Sequence, residues 1–448
     1  MKFSEFKQIV IDRCAEQGIG EYELYYQTAE STSVGAFKQE INQFTGSVEG
    51  GVCFRCIVNG KMGYASTEEL SQAQAWAVVD RAVDNAAALE TGDPVFLGEG
   101  GQEYEPLNLK PYDLPSTEEL IQTVLDTQAK TYAADPAVID GTTTQGISER
   151  SEIAIYNSKG LDLRYVNQAA GLIVAAVVAD GGEMANDYQL KLAELGTIDR
   201  KALADKAVKG ALAKLGGEAA PTGVYPVVFG SKAMASLLQT FSSVFSSEAA
   251  QKGLSQLAGL EGKSIASECV TIVDDPFHKD SPMPIHFDAE GSPTHCKRIV
   301  ENGVLNTLLY NLKTANIAGK KTTGNASKSG YNASIAVRPF TMYLAPGRIS
   351  EEELLKKAGN GVYINALEGL HAGANAVSGD FSLQSAGFLI ENGQKTTHVK
   401  AFTVAGNFYD MLKNITAVGD HTELPMAVGM TAFGAPSVLV QGLSIAGK

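Results

Sequence analysis

Residues 234–253 read MASLLQTFSSVFSSEAAQKG, and the fold turns on how this stretch is read. Its apolar residues recur at helical spacing, which predicts one amphipathic helix. Near its end stand Ser247, Glu248 and Lys252. Their spacing is that of the pattern His-Glu-x-x-x-His, in which two imidazoles close on a zinc ion and the glutamate polarises the bound water. Both imidazole positions here hold poor ligands: serine is a weak neutral donor, and lysine is a cation at pH 7. No catalytic residue is therefore assigned, and the three positions read as a degenerate metal helix. An ordinary helix glutamate at 248 fits the same letters. A Ser246 or Ser247 nucleophile activated by Lys252 has poor geometry, because neighbours on one helix face are three or four residues apart.

Three downstream blocks give the helix a context. They are FDAEGSPTHCKRIVENGVLNTLLYN (287–311), TANIAGKKTTGNA (314–326) and SGDFSLQSAGFLIENG (378–393). In this order and spacing the chain resembles, over essentially its whole length, the TldD/PmbA family, a bacterial and archaeal group once called modulators of DNA gyrase. TldD-like members carry the His-Glu-x-x-x-His helix and a late cysteine as third zinc ligand, and PmbA-like (TldE) members lack them. The last cysteine here is Cys296, and none lies between Asp420 and Ala435. The resemblance is thus to the PmbA/TldE branch.

That resemblance implies an α+β fold with a large β-rich C-terminal domain, and a non-catalytic subunit of a zinc metalloprotease complex. Its partner would be a TldD-type subunit, its substrate an unfolded or modified peptide. Zinc is expected only in that partner, with no cofactor in this chain, and the assembly is expected to be a homo- or heterodimer. It also implies that Asn325, Gly379 and Asp380 lie near a peptide groove, although ordinary surface turns account for them equally. The block SGDFSLQSAG departs from the commoner basic version, so partner or substrate preference is expected to differ.

The composition fits a globular protein: 448 residues, 44% hydrophobic and 19% charged. No apolar run approaches the ~20 residues of a membrane span, and the start MKFSEFKQIVIDRCAEQG lacks the apolar core of a signal peptide. Five cysteines, few and odd in number, point to a reducing compartment, so a cytoplasmic location is expected. The net charge of −15 argues against gripping DNA through its phosphates.

Along the chain, residues 1–92 predict an α+β module: a first helix, then strands with a two-residue hairpin turn at Asn59-Gly60. A second helix is expected from a Ser66/Glu69 capping box. Residues 93–115 read as an extended linker; the run 91–115 holds four prolines and four glycines. Residues 116–220 predict a second α+β module, opened by a Ser116/Glu119 capping box and hairpinned at Asn157–Gly160. Helix, hairpins and helix recur in the same order, which hints at duplication. Residues 221–448 predict a β-rich, barrel- or sandwich-like domain with one capped helix from Ser350.

Two further clusters invite chemistry. In an extended strand, His286, Asp288 and Glu290 would share one face, and with His295 they would form an alternative metal site for a stand-alone hydrolase. The competing reading is a strand ending in a turn at Gly291. Cys53-x-x-Cys56 resembles a metal half-site, but its spacing sends the thiols to opposite faces of a strand, and no second pair completes it. No phosphate-binding glycine fingerprint occurs.

Overall fold

The computed structural model describes residues 1–90, 94–107, 113–281, 283–428 and 431–448. Two helix–strand units build the N-terminal half. The first runs α1 (Phe3–Gln17), β1 (Glu21–Phe37), β2 (Glu40–Val58), β3 (Lys61–Thr67) and α2 (Gln72–Ala88). The second runs α3 (Thr117–Ala134), β4 (Thr143–Asn157), β5 (Asp162–Asp180), β6 (Glu183–Leu192) and α4 (Arg200–Leu212).

Both units share one antiparallel sheet of order β3-β2-β1-β4-β5-β6. The repeat sensed in the sequence thus becomes a near two-fold arrangement about the β1–β4 pair. Asn59 and Gly60 both take positive φ (50° and 74°), as the tight β2–β3 turn demands. The capping box at Ser116 and Glu119 forms as expected. The one at Ser66 and Glu69 does not: Ser66 lies in β3, and Ser71 caps α2 through the Gln74 amide. The helices cover one sheet face, burying Phe6, Val10, Leu24, Phe54 and Val78 together. The other face carries Tyr25, Cys53, Ile153, Ile155 and Tyr165, which pack with Ile285, Phe287 and Phe340 of the C-terminal half. Cys53 and Cys56 therefore sit in different cores, as their odd spacing requires.

Part of the expected linker, residues 93 and 108–112, lies outside the described residues. Residues 94–107 carry no regular secondary structure yet are anchored. Leu97 is buried, the Gly98 carbonyl accepts from Asn157 Nδ2 (2.8 Å), and Tyr104 Oη donates to the Gly291 carbonyl (2.8 Å).

In the C-terminal half, strands Gly223–Phe229, Gly361–Glu368, Asp380–Glu391, Gln394–Asn407 and Val438–Ala446 pair in a ring, closed where Thr403 meets Ala446. A six-stranded sheet, in which Thr341–Leu344 lies between Ile272–Asp274 and Thr431–Ala435, stands beside the ring. This is the expected β-rich architecture. The largest core joins both sheets through α5 (Ser231–Phe241), whose Phe241 stacks on Phe408 at 4.5 Å. No helix among the described residues is long and apolar enough to cross a membrane.

Candidate functional site

The single helix predicted over 234–253 is broken. α5 ends at Phe241, a 3₁₀ turn covers Ser242–Phe245, and α6 spans Ser247–Gln251. The cause is local. Ser246 is extended and caps α6 by accepting from the Ala249 amide, while Phe245 and Ser247 bond through their backbones to Leu309 (2.9 Å each). Serines compete with helix bonding through their hydroxyls, so the Ser-Ser pairs at 242–243 and 246–247 were the available signal.

The break fixes where Ser247, Glu248 and Lys252 point. Ser247 is 1% exposed, and its hydroxyl donates to Thr314 Oγ1 at 2.8 Å on α7 (Leu312–Ile317). Gln251 Nε2 donates to the Thr314 carbonyl at 2.7 Å, so α6 is docked on α7 along this side. Glu248 faces outward, and its carboxylate accepts from the Lys252 ammonium at 2.6 Å. Both line an open cleft of about 510 Å³, together with Ser246, Arg338, Thr431 and Phe433.

A zinc ion does not fit this donor set. One hydroxyl is buried and already bonded, the carboxylate is paired, and two cations, Lys252 and Arg338, line the same space. None of the described residues lining the cleft is a histidine or cysteine. No metal-dependent step follows from these residues.

The alternative metal residues are not gathered. Residues 286–290 form no strand; FDAEG is a tight turn, with Gly291 at φ 76°. Asp288 is fully buried, and its carboxylate accepts from the amides of Glu290, Ser292 and Ala326 at 2.9–3.0 Å. Burial pushes its proton affinity up, to a pKa of about 6. Glu290 accepts from the Leu312 amide at 2.8 Å; burial, then the neighbouring Asp288 charge, raises it to about 8. His286 packs against Tyr104, Tyr165 and Phe287, and burial lowers its pKa. His295 is exposed. No group of three or more His, Cys, Asp or Glu side chains able to hold a metal occurs among the described residues.

The three groove residues fall in two places. Asn325 is wholly buried: its Nδ2 donates to Asp274 Oδ2 (2.8 Å) and to the Arg338 carbonyl (2.9 Å). Gly379 and Asp380 lie at the start of the strand Asp380–Glu391. Asn407 Nδ2 donates to Asp380 Oδ1 at 2.9 Å, and the Gly379 carbonyl accepts from the Phe408 amide. Asp380 stays exposed; Asn325 cannot touch a ligand in this conformation.

This architecture has counterparts. Family models match residues 22–89, 110–215 and 222–447, described as domain 1, the central domain and the C-terminal domain of PmbA/TldA metallopeptidases. The chain belongs to the PmbA/TldD metallopeptidase family. A Metalloprotease PmbA homolog of Haemophilus influenzae is 27% identical over 399 residues, 87% of this chain and 85% of that protein. A TldD homolog of Buchnera aphidicola is 28% identical over 253 residues, 54% of this chain; the chain spans about half (52%) of that relative's length. Among solved structures, a proposed modulator of a DNA gyrase from Thermotoga maritima superposes with a TM-score of 0.89 at 30% identity, covering 99% of this chain and 100% of that one. TldE from Thermococcus kodakarensis shares the fold, with a TM-score of 0.86 at 23% identity over 98% and 99% of the two chains.

Proposed function

We propose that this chain is a PmbA/TldE-type subunit without zinc-dependent proteolysis of its own. It acts in the cytoplasm with a TldD-type metalloprotease subunit that supplies the zinc and cleaves unfolded or modified peptides. It forms a dimer, with that subunit or with a second copy. One observation carries the reading: at the position of the family's metal helix, Glu248 is closed off by Lys252 and Ser247 is turned into the protein. A general base needs a positioned water and a neighbouring Lewis acid, and the cleft provides cations in their place.

Co-expression with a TldD-type subunit from the same genome tests this. The two chains should co-purify, zinc should be found in the partner alone, and cleavage of an unfolded protein should fall when this chain is omitted. Stoichiometric zinc and chelator-sensitive cleavage by the isolated chain would support a stand-alone hydrolase and sink the proposal. A direct DNA role has no support in a chain of net charge −15.

A further inference from the structure

The N-terminal sheet leaves part of one long strand paired on one side only. β3 covers β2 from Val52 to Val58 and no further. From Glu40 to Gly50, β2 pairs with β1 alone, and no strand among the described residues pairs with its outer edge. A row of free backbone N–H and C=O groups is a template for another strand, and edges are usually guarded by charge, proline or a covering element. The stretch Ile41–Val48, INQFTGSV, has no charged residue and no proline. Phe44 and Val48 lie on one face of the strand and are 56% and 76% exposed.

The backbone limits which stretch can accept a partner. Asn42 is an extra residue in β2, because Gly35 faces Gln43 while Ala36 faces Ile41. At the other end Gly50 has φ 148°, outside regular strand geometry. Between these points Gln43–Glu49 runs in regular register with β1. Its midpoint is Gly46, where an added Cβ would meet nothing within 4 Å. Antiparallel pairing of this stretch with a second copy, about a two-fold axis at Gly46, sets Phe44 against Val48, Thr45 against Ser47 and Gln43 against Glu49. Each of these contacts is then made twice, and no like charges meet. The same axis brings the second copy's turn at Lys38-Gln39 level with Val52, where β3 takes over. Two chains of net charge −15 repel over most of their surface, so an uncharged edge is a favourable place for them to touch.

We infer that two copies of this chain join through this edge, β2 to β2, so that the antiparallel sheet of one subunit continues into the other. The inference deepens the dimer proposed above by committing to its second-copy form and naming the contact; it draws on neither zinc chemistry nor peptide cleavage. Seven residues a side span about 23 Å. That is small for a specific interface, so the dimer forms at micromolar rather than nanomolar concentration.

Sedimentation velocity of the full chain tests this. Wild type should pass from monomer to dimer between about 1 and about 200 μM. Phe44→Glu or Val48→Lys alone should weaken the dimer at least about tenfold, because two-fold symmetry counts each lost contact twice. The double variant Phe44→Glu, Val48→Lys sets opposite charges across the axis and should recover to within about threefold of wild type. Both side chains are exposed, so circular dichroism of the dilute variants should match wild type. A wild-type chain that stays monomeric throughout the range overturns the inference. So do single variants that dimerise as wild type does, which place the contact elsewhere, and a double variant no better than the singles, which removes the register. Loss of co-purification with a TldD-type subunit in Phe44→Glu, with wild type monomeric alone, would give the edge to that subunit and overturn the second copy as occupant. Zinc or cleavage found in the isolated chain would count against the proposed function and leave this result unmoved.

Discussion

Asn325→Ala separates a structural from a peptide-contacting role for this residue. The side chain makes three hydrogen bonds: to Asp274 Oδ2 at 2.8 Å, to the Arg338 carbonyl at 2.9 Å, and from Thr323 Oγ1 at 2.8 Å. Asp274 has no exposed surface and also holds Lys297 (3.1 Å) and the amides of Phe340 (2.8 Å) and Thr341 (3.0 Å). It is the node that ties the strand Ile272–Asp274 to Thr341–Leu344. A hydrogen bond to a charged group contributes about 1.5–3 kcal/mol, and an orphaned carbonyl costs about 1–3 kcal/mol. A total of about 3 kcal/mol is a factor of about 10² in a local opening equilibrium. Hydrogen exchange followed by mass spectrometry should show that loss of protection at residues 272–274 and 341–344. Helices α1 and α2, on the far face of the N-terminal sheet, should keep their protection, and on the proposed function a TldD-type subunit should still co-purify. Unchanged protection in these strands, combined with lost peptide cleavage by the complex, would refute the structural assignment and return Asn325 to the groove.

Gly379→Ala should cost about 1–3 kcal/mol, because φ is 84° and an added Cβ would lie 2.4 Å from Tyr409 Cδ2; a thermal unfolding series reads it. The pH dependence of stability should carry the mark of Glu290. Its pKa rises from 4.5 to about 8 on folding, so its contribution is complete below pH 4.5 and is lost as pH climbs through 8. Glu290→Gln should flatten that decline in denaturant titrations between pH 5 and pH 9, and an unaltered slope would count against the burial argument. The double variant Ser247→His, Lys252→His should not acquire stoichiometric zinc by elemental analysis, because position 247 faces Thr314 rather than the cleft.

Much of the fold was legible where a local signal had one physical meaning. Asn59-Gly60 can adopt two successive positive φ values, and it turns the chain as read. Ser116 with Glu119 and Ser350 with Glu353 close reciprocal caps. Legibility failed where the deciding contact lies far away. The turn at Lys38-Gln39 takes φ of 52° and 62° with neither Gly nor Asn, so no residue there signals the long β1–β2 hairpin. Asn325 looked like a loop residue because its partner Asp274 is 51 positions upstream. A cleft of about 720 Å³ beside Glu290 was invisible for the same reason: residues 53–66, 94–96 and 332–335 meet only in the folded chain.

On the proposed reading, the altered metal helix has a deeper basis than three substituted letters. A continuous helix would set the direction of Ser247 by its regular turn alone. Instead the chain breaks at Ser246, bridges Leu309, and restarts with Ser247 already bonded to Thr314. Thr314 is in turn held by Asn311, whose side chain accepts from both the Thr314 amide and its hydroxyl at 2.9 Å. An imidazole at 247 would have to displace this packed network, and overpacking a filled site typically costs about 1–3 kcal/mol. Lys252 lies on the exposed side, so its pair with Glu248 contributes little to stability. What that pair changes is charge: it neutralises the Glu248 carboxylate, which lines the cleft. Packing at 247 and charge at 252 thus act separately, and reversing either one alone leaves the other opposing a metal.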